Sequence, residues 1–169
     1  AFYKNVSGCA VNAGEFEWAK YFIEKYKEML EPDVRENYYF HALIEYNIKL
    51  KNFGEVLGYL SRIKHTNHSS KLNVKGWEII TAYEMDHLED LRYIIDSARH
   101  FIQNDKKIVP SKLERLSNFI SIVTKLVYLK ENPESIKSIN GELLTLKEDL
   151  TKLKCFHKIW LGEKIEELR

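Results

Sequence analysis

Proline is scarce in this chain: three in 169 residues, at Pro32, Pro110 and Pro133. A proline inside a helix removes a hydrogen bond and clashes with the preceding turn, so long helices are free to run between these points. Cysteine is scarcer. Cys9 and Cys155 stand far apart, which excludes the dense disulfide framework of a small secreted scaffold and reads as two reduced, core or half-buried thiols. The glycines at 8, 14, 54, 58, 76, 141 and 162 are scattered, and none builds a phosphate-cradling loop between a strand and a helix. An excess of one charge is missing too. The 26 basic and 25 acidic residues leave a net +1, so no whole-chain pull toward nucleic acid or an anionic membrane exists. No apolar run approaches the ~20 residues needed to span a bilayer, and no charged-then-apolar leader opens the chain. The first residue is Ala1, not methionine, already inside a helical pattern. This reads as a fragment or C-terminal piece, and the reduced thiols set the expectation of a cytoplasmic setting.

What is present is apolar material with a period. Hydrophobic residues at 44% and aromatics at 12% fill a sizeable core. Phe16, Ala19, Phe22, Ile23 and Tyr26 recur 37 residues later as Phe53, Val56, Tyr59, Leu60 and Ile63, and after another 35 as Leu88, Leu91, Ile94, Ile95 and Ala98. A spacing of this length marks stacked helix-turn-helix units. The preceding segments repeat more loosely, with Val11, Ile48 and Tyr83 in register and Ala10, Asn47 and Ala82 beside them.

The three prolines punctuate apolar-periodic segments, and capping-box pairs appear at Asn12/Glu15, Asp33/Glu36, Asn52/Glu55, Asp86/Glu89 and Ser111/Glu114. In such a pair the first side chain accepts from a backbone N–H one turn in while the acid reaches back. Asn132-Pro133 is a further start, with proline at the first helical position. Strand-type alternation and two-residue hairpin turns are absent. The sequence predicts helices near 1–11, 15–30, 34–50, 53–64, 71–85, 88–103, 111–130, 134–152 and 156–168, with loops at 65–70 and 104–107. Paired consecutively they form hairpins over 1–30, 34–64 and 71–103. Residues 111–169 form a final hairpin plus a capping helix, all within one helical-repeat domain spanning 1–169. Each hairpin buries too little alone, so neighbours must stack. If residues 1–11 end a cut solenoid, Phe2, Val6 and Ala10 form a sticky edge.

The stretch Phe40 to Lys64, FHALIEYNIKLKNFGEVLGYLSRIK, resembles a tetratricopeptide repeat. It has an aromatic-aliphatic first helix, a Lys-Asn-Phe turn, then Val-x3-Leu-x2-Ile. Trp77–Ile102 and Glu15–Leu30 are similar. The whole chain looks like the C-terminal portion of large bacterial proteins of this class, mostly without assigned function, which end in a run such as Trp160 to Leu168. Ile44, Val56 and Leu91 stand where the family places small residues; only Ala19 is small. The resemblance implies an all-α right-handed solenoid of antiparallel helical hairpins with C-terminal capping helices.

Chemistry-bearing residues do not assemble into a known catalytic pattern. His65 and His68 lie three apart in a polar loop but lack the remaining ligands of a metal site. Cys155 and His157 are two apart, which points them to different helix faces. The paired acids Glu89-Asp90, Glu148-Asp149 and Glu166-Glu167 read as solvated faces. No enzyme activity, cofactor or metal is expected. Lys20, Lys25 and Lys27 near Tyr21 and Tyr26, then Lys106, Lys107 and Lys112, suggest a phosphate track, but acids such as Glu24 and Glu28 interrupt it.

Protein or peptide binding is the favoured reading: a non-catalytic scaffold holding a partner on its concave face. There helix 34–50 is expected to present Tyr38, His41 and Glu45, and helix 71–85 Asn73, Trp77 and Ile80. An aromatic anchor beside polar groups is what interface hot spots contain. The same residues read equally well as packing against the next hairpin, because a one-residue register error turns a helical side chain by about 100°. Two alternatives stand beside it. One is an architectural cap that closes a longer solenoid, favoured if 134–169 blocks the groove. The other is an RNA-binding helical repeat, which needs Lys and Arg aligned across hairpins.

Overall fold

The structure is a computed structural model that describes residues 2–64, 68–132 and 139–169. Among these residues the chain is all-α, without strands. Its helices are α1 (Phe2–Asn12), α2 (Phe16–Lys25), a 3-10 turn (Lys27–Met29), α3 (Pro32–Lys49), α4 (Phe53–Leu60), α5 (His68–Glu84), α6 (Leu88–Asn104), α7 (Pro110–Glu131), α8 (Ile139–Lys152) and α9 (Lys158–Glu167). The expected loop 65–70 is shorter than the sequence suggested, since α5 already runs from His68. Its first three residues, like Pro133 and the start expected for the 134–152 helix, lie outside the described residues. The chain divides into two compact units, Ala1–Asn67 and His68–Arg169.

The first unit holds α1 to α4. α1 packs on α2, α3 lies against both, and α4 pairs with α3. Their shared core is Tyr3, Phe22, Ile23, Ala42 and Leu43, with Val6, Tyr26, Tyr39 and Tyr46 packed around it. Tyr3 carries its polar end into this core at no loss, because its hydroxyl donates to the Ile23 carbonyl at 2.7 Å. In the second unit α5 pairs with α6, α7 touches both, and α9 packs on α7 and α8. Phe119, Leu116, Val123, Leu126 and Leu161 are fully enclosed there.

The repeat is written into the backbone at three turns. Gly14, Lys51 and Asp86 all adopt positive φ, at 82°, 59° and 59°. The next residue's N–H reaches back to the fifth carbonyl before it: Glu15 to Ala10 at 3.0 Å, Asn52 to Asn47 at 2.9 Å, His87 to Ala82 at 3.0 Å. The left-handed residue itself donates to Val11, Ile48 and Tyr83. This is the helix-ending motif in which a left-handed residue lets two N–H groups satisfy orphan carbonyls. The sequence register of Val11, Ile48 and Tyr83 is thus a register of hydrogen-bond acceptors.

The expected capping boxes are not how the resolved helix starts are built. α2, α4 and α6 start after Glu15, Asn52 and His87, and none of the three makes a side-chain cap. Asn52 donates instead to the Asn47 side chain at 3.4 Å. α3 and α7 start one or more residues earlier than expected, with Pro32 and Pro110 in the first turn. Proline's fixed φ and missing N–H suit that position, so it takes over the role expected of Asp33 and Ser111.

Candidate functional site

The six residues expected on one wall fall three in each unit. In the first, Tyr38 is half-buried beside α1, where the Lys4 ammonium sits 4.6 Å from its ring centre. His41 is buried, with Nδ1 3.8 Å from Glu45 Oε1. Gly8 of α1 makes room for that carboxylate: a Cβ there would stand 3.3 Å from Glu45 Oε2. Burial, and secondarily the Lys4 charge, lowers the His41 pKa to about 3. Burial raises Glu45 to about 7, with Lys4 opposing. A neutral imidazole against a carboxyl group that readily holds its proton is a packed polar pair within α3, set against Gly8 of α1. It supplies no strong base.

In the second unit Asn73 is half-buried, but Trp77 is 2% exposed and Ile80 0%. Both were expected on an open wall and are core residues. The reason for Trp77 is register. The repeat of 35 residues pairs His41 with Gly76, whereas Trp77 pairs with Ala42, a core position in the first unit. One residue of offset turned it inward.

The side of α5 that carries Gly76 is occupied by the chain's own C-terminal segment. A Cβ on Gly76 would stand 2.6 Å from His157 Nε2. Trp160 meets Tyr83 edge-on at 5.3 Å, and its Nε1 donates to Glu84 Oε1 at 2.6 Å. Lys164 Nζ lies 2.8 Å from the same oxygen and 2.7 Å from Glu167 Oε2. Burial alone would lower the Lys164 pKa, but the hydrogen bonds to Glu167 and Glu84 outweigh it and the net shift is upward.

The remaining candidates stay apart. Cys155 is buried and its thiol is pushed up to about 11, the opposite of an activated nucleophile. Burial lowers His157 to about 4. His68 pairs with Asp105, and His65 lies outside the described residues. Among the described residues no three His, Cys, Asp or Glu side chains converge on a metal position, and no helix is long and apolar enough to cross a membrane.

An open apolar face on the first hairpin is the prominent surface feature. Phe2 is 76% exposed, Trp18 49% and Met29 78%. Phe2, Asn5, Val6, Cys9, Ala10 and Trp18 line a shallow cavity of about 640 Å³. Phe2 also borders a second, of about 510 Å³, with Tyr26, Met29 and Leu30. Phe2, Val6 and Ala10 were legible in the sequence as an edge. Trp18, Cys9 and Met29 were not, although Trp18 stands one residue before core Ala19 and so on the adjoining face. The chain matches no protein-family model, no curated protein and no solved structure.

Proposed function

We propose that the chain is a non-catalytic interaction module, with hairpins of a right-handed, tetratricopeptide-like array, that binds another polypeptide through the open face of α1 and α2. The observation that carries this reading is the concentration of Phe2, Trp18 and Met29, each at least half exposed or close to it, on one hairpin. Apolar patches of this kind on a soluble protein mark interaction sites, and Trp is among the commonest hot-spot residues.

For the second unit the architectural reading is favoured by a specific observation. His157, Trp160 and Lys164 cover the side of α5 at Gly76, Tyr83 and Glu84, so this unit is closed by its own C-terminal helix.

The test uses a partner captured by the immobilised chain, then purified and rebound. A Phe2→Glu/Trp18→Glu variant with an unchanged circular-dichroism spectrum should bind about 30-fold or more weaker, the loss of a hot spot of about 2 kcal/mol. Trp77→Phe, a buried change, should leave binding intact. Equal binding by the wild type and the folded double variant removes the face from the function.

A further inference from the structure

The near-neutral charge of the whole chain conceals a local imbalance at one end of the second unit. Residues 106–115 carry four cations and one acid, and residues 150–159 three cations and no acid. The fold brings these two segments together, because the end of α8 returns to the first turns of α7. The Asn118 side chain donates to the Lys154 carbonyl at 3.0 Å, and the Phe156 N–H donates to the Arg115 carbonyl at 3.3 Å. The Arg115 guanidinium lies 5.0 Å from the Phe156 ring centre, and Lys158 Nζ turns back to the Thr151 carbonyl at 3.4 Å. Lys106, Lys107, Lys112, Arg115, Lys154 and Lys158 are all exposed, and among the described residues none of them is in an ion pair. Acids do little to offset them. Asp105 is turned inward at 5% side-chain exposure and pairs with His68, and Glu148 stands 3.9 Å from Lys152. Away from this end the cations of the unit are held in ion pairs, such as Lys130 with Asp86, Lys125 with Asp149 and Lys147 with Glu166.

We infer that this end of the second unit is a docking surface for an anionic lipid bilayer, which it binds from one side without crossing. Charge complementarity carries the first half of the argument. The cations are five lysines to one arginine, and a lysine is a point charge that suits a diffuse layer of anionic headgroups, where arginine's fork suits a single fixed carboxylate or phosphate. The second half is apolar. Val109, Leu153 and Ile159 lie among the same lysines and are 59%, 36% and 68% exposed. A basic surface with exposed aliphatic side chains is what settles at the boundary between headgroups and acyl chains. A single-stranded nucleic acid fits less well, because it needs open aromatic platforms. The aromatic at this end, Phe156, is half-buried with Arg115 already over its ring.

The test is co-sedimentation of the full chain with vesicles of phosphatidylcholine alone and of phosphatidylcholine mixed with phosphatidylserine. The chain should pellet with the anionic vesicles only, and added salt should weaken the binding. Each basic side chain near such a surface contributes about fivefold in partitioning. Lys112→Gln/Lys154→Gln, with an unchanged circular-dichroism spectrum, should therefore bind about 20-fold weaker. Lys106→Gln/Lys107→Gln makes the same measurement on the neighbouring loop if the first pair disturbs the fold. Lys125→Gln/Lys147→Gln removes equal charge elsewhere in the unit, where both lysines are ion-paired, and should bind like the wild type. Ile159→Trp reports on the apolar contact: its emission, taken as the difference from wild type, should shift to the blue with anionic vesicles. Failure to pellet with anionic vesicles overturns the inference, and so does an equal loss in the Lys112/Lys154 and Lys125/Lys147 variants. An Ile159→Trp emission unmoved by anionic vesicles overturns it as well, since the aliphatic residues then stay in water. Tighter binding to single-stranded poly(U) or to polyglutamate than to anionic vesicles does the same, because the surface then serves another polyanion.

Discussion

Lys164 and Glu84 meet at 2.8 Å with side-chain exposures of 3% and 13%, and Trp160 Nε1 donates to the same carboxylate oxygen. Two charges removed this far from water are held only because each keeps further partners, Glu167 for the lysine and Trp160 for the acid. Lys164→Met strands Glu84 and is expected to cost about 3–5 kcal/mol. Glu84→Gln leaves Lys164 its bond to Glu167, so its cost is smaller. Urea unfolding of both variants in the full chain checks the order.

Gly76 and His157 are the second close approach. Adding a Cβ at 76 drives it to 2.6 Å from Nε2 of a ring that also packs on Phe119 at 5.2 Å. Gly76→Ala should destabilise by about 1–3 kcal/mol, the usual cost of overpacking. In a double-mutant cycle with His157→Ala, most of that loss should disappear. A full loss retained in the double variant would place the strain elsewhere.

The same histidine makes a pH dependence with a definite sign. Burial lowers its folded pKa to about 4 against an ordinary 6.5, so the unfolded chain binds the proton more readily. Stability is complete above about pH 6.5 and is lost as the pH falls toward 4. By pH 4.5 the loss amounts to about 2–3 kcal/mol, from roughly 1.4 kcal/mol per pKa unit. Thermal melts of the wild type and His157→Gln at pH 7.5 and 4.5 should show a smaller acid loss in the variant.

The three left-handed turns predict substitutions of opposite direction. Lys51 and Asp86 hold φ of 59° that glycine adopts without penalty, so Lys51→Gly and Asp86→Gly should each stabilise by up to about 1 kcal/mol. Gly14 sits at φ 82° with open space around its Cβ position, so Gly14→Ala should cost about 1 kcal/mol from backbone strain alone. Guanidinium titrations of the three variants give the signs directly.

Much of the helical plan was legible because it is local. Phe16, Phe53 and Leu88 open three helices at the places where the apolar period begins, and that period is set by the geometry of the helix itself. The capping pairs misled because Asx and Glu at the right spacing are common. Where proline lies at hand, its fixed φ starts the helix without a side-chain cap. Trp77 was misplaced by one position, a step too small for composition to detect and large enough to exchange wall for core. Trp18 was overlooked because an aromatic in an amphipathic segment reads as interior until the packing of α1 and α3 shows which side is taken.

The sequence by itself determined an all-helical chain, the 37- and 35-residue recurrence and the turns that close each hairpin, since hydrophobic period and backbone hydrogen bonding act within a few residues. Only the tertiary structure decided which faces are covered. His157, Trp160 and Lys164 reach α5 from about 75 to 80 residues away in sequence, while among the described residues Phe2 stays 76% and Trp18 49% exposed. Burial belongs to pairs of surfaces, and no local pattern names the second member of the pair.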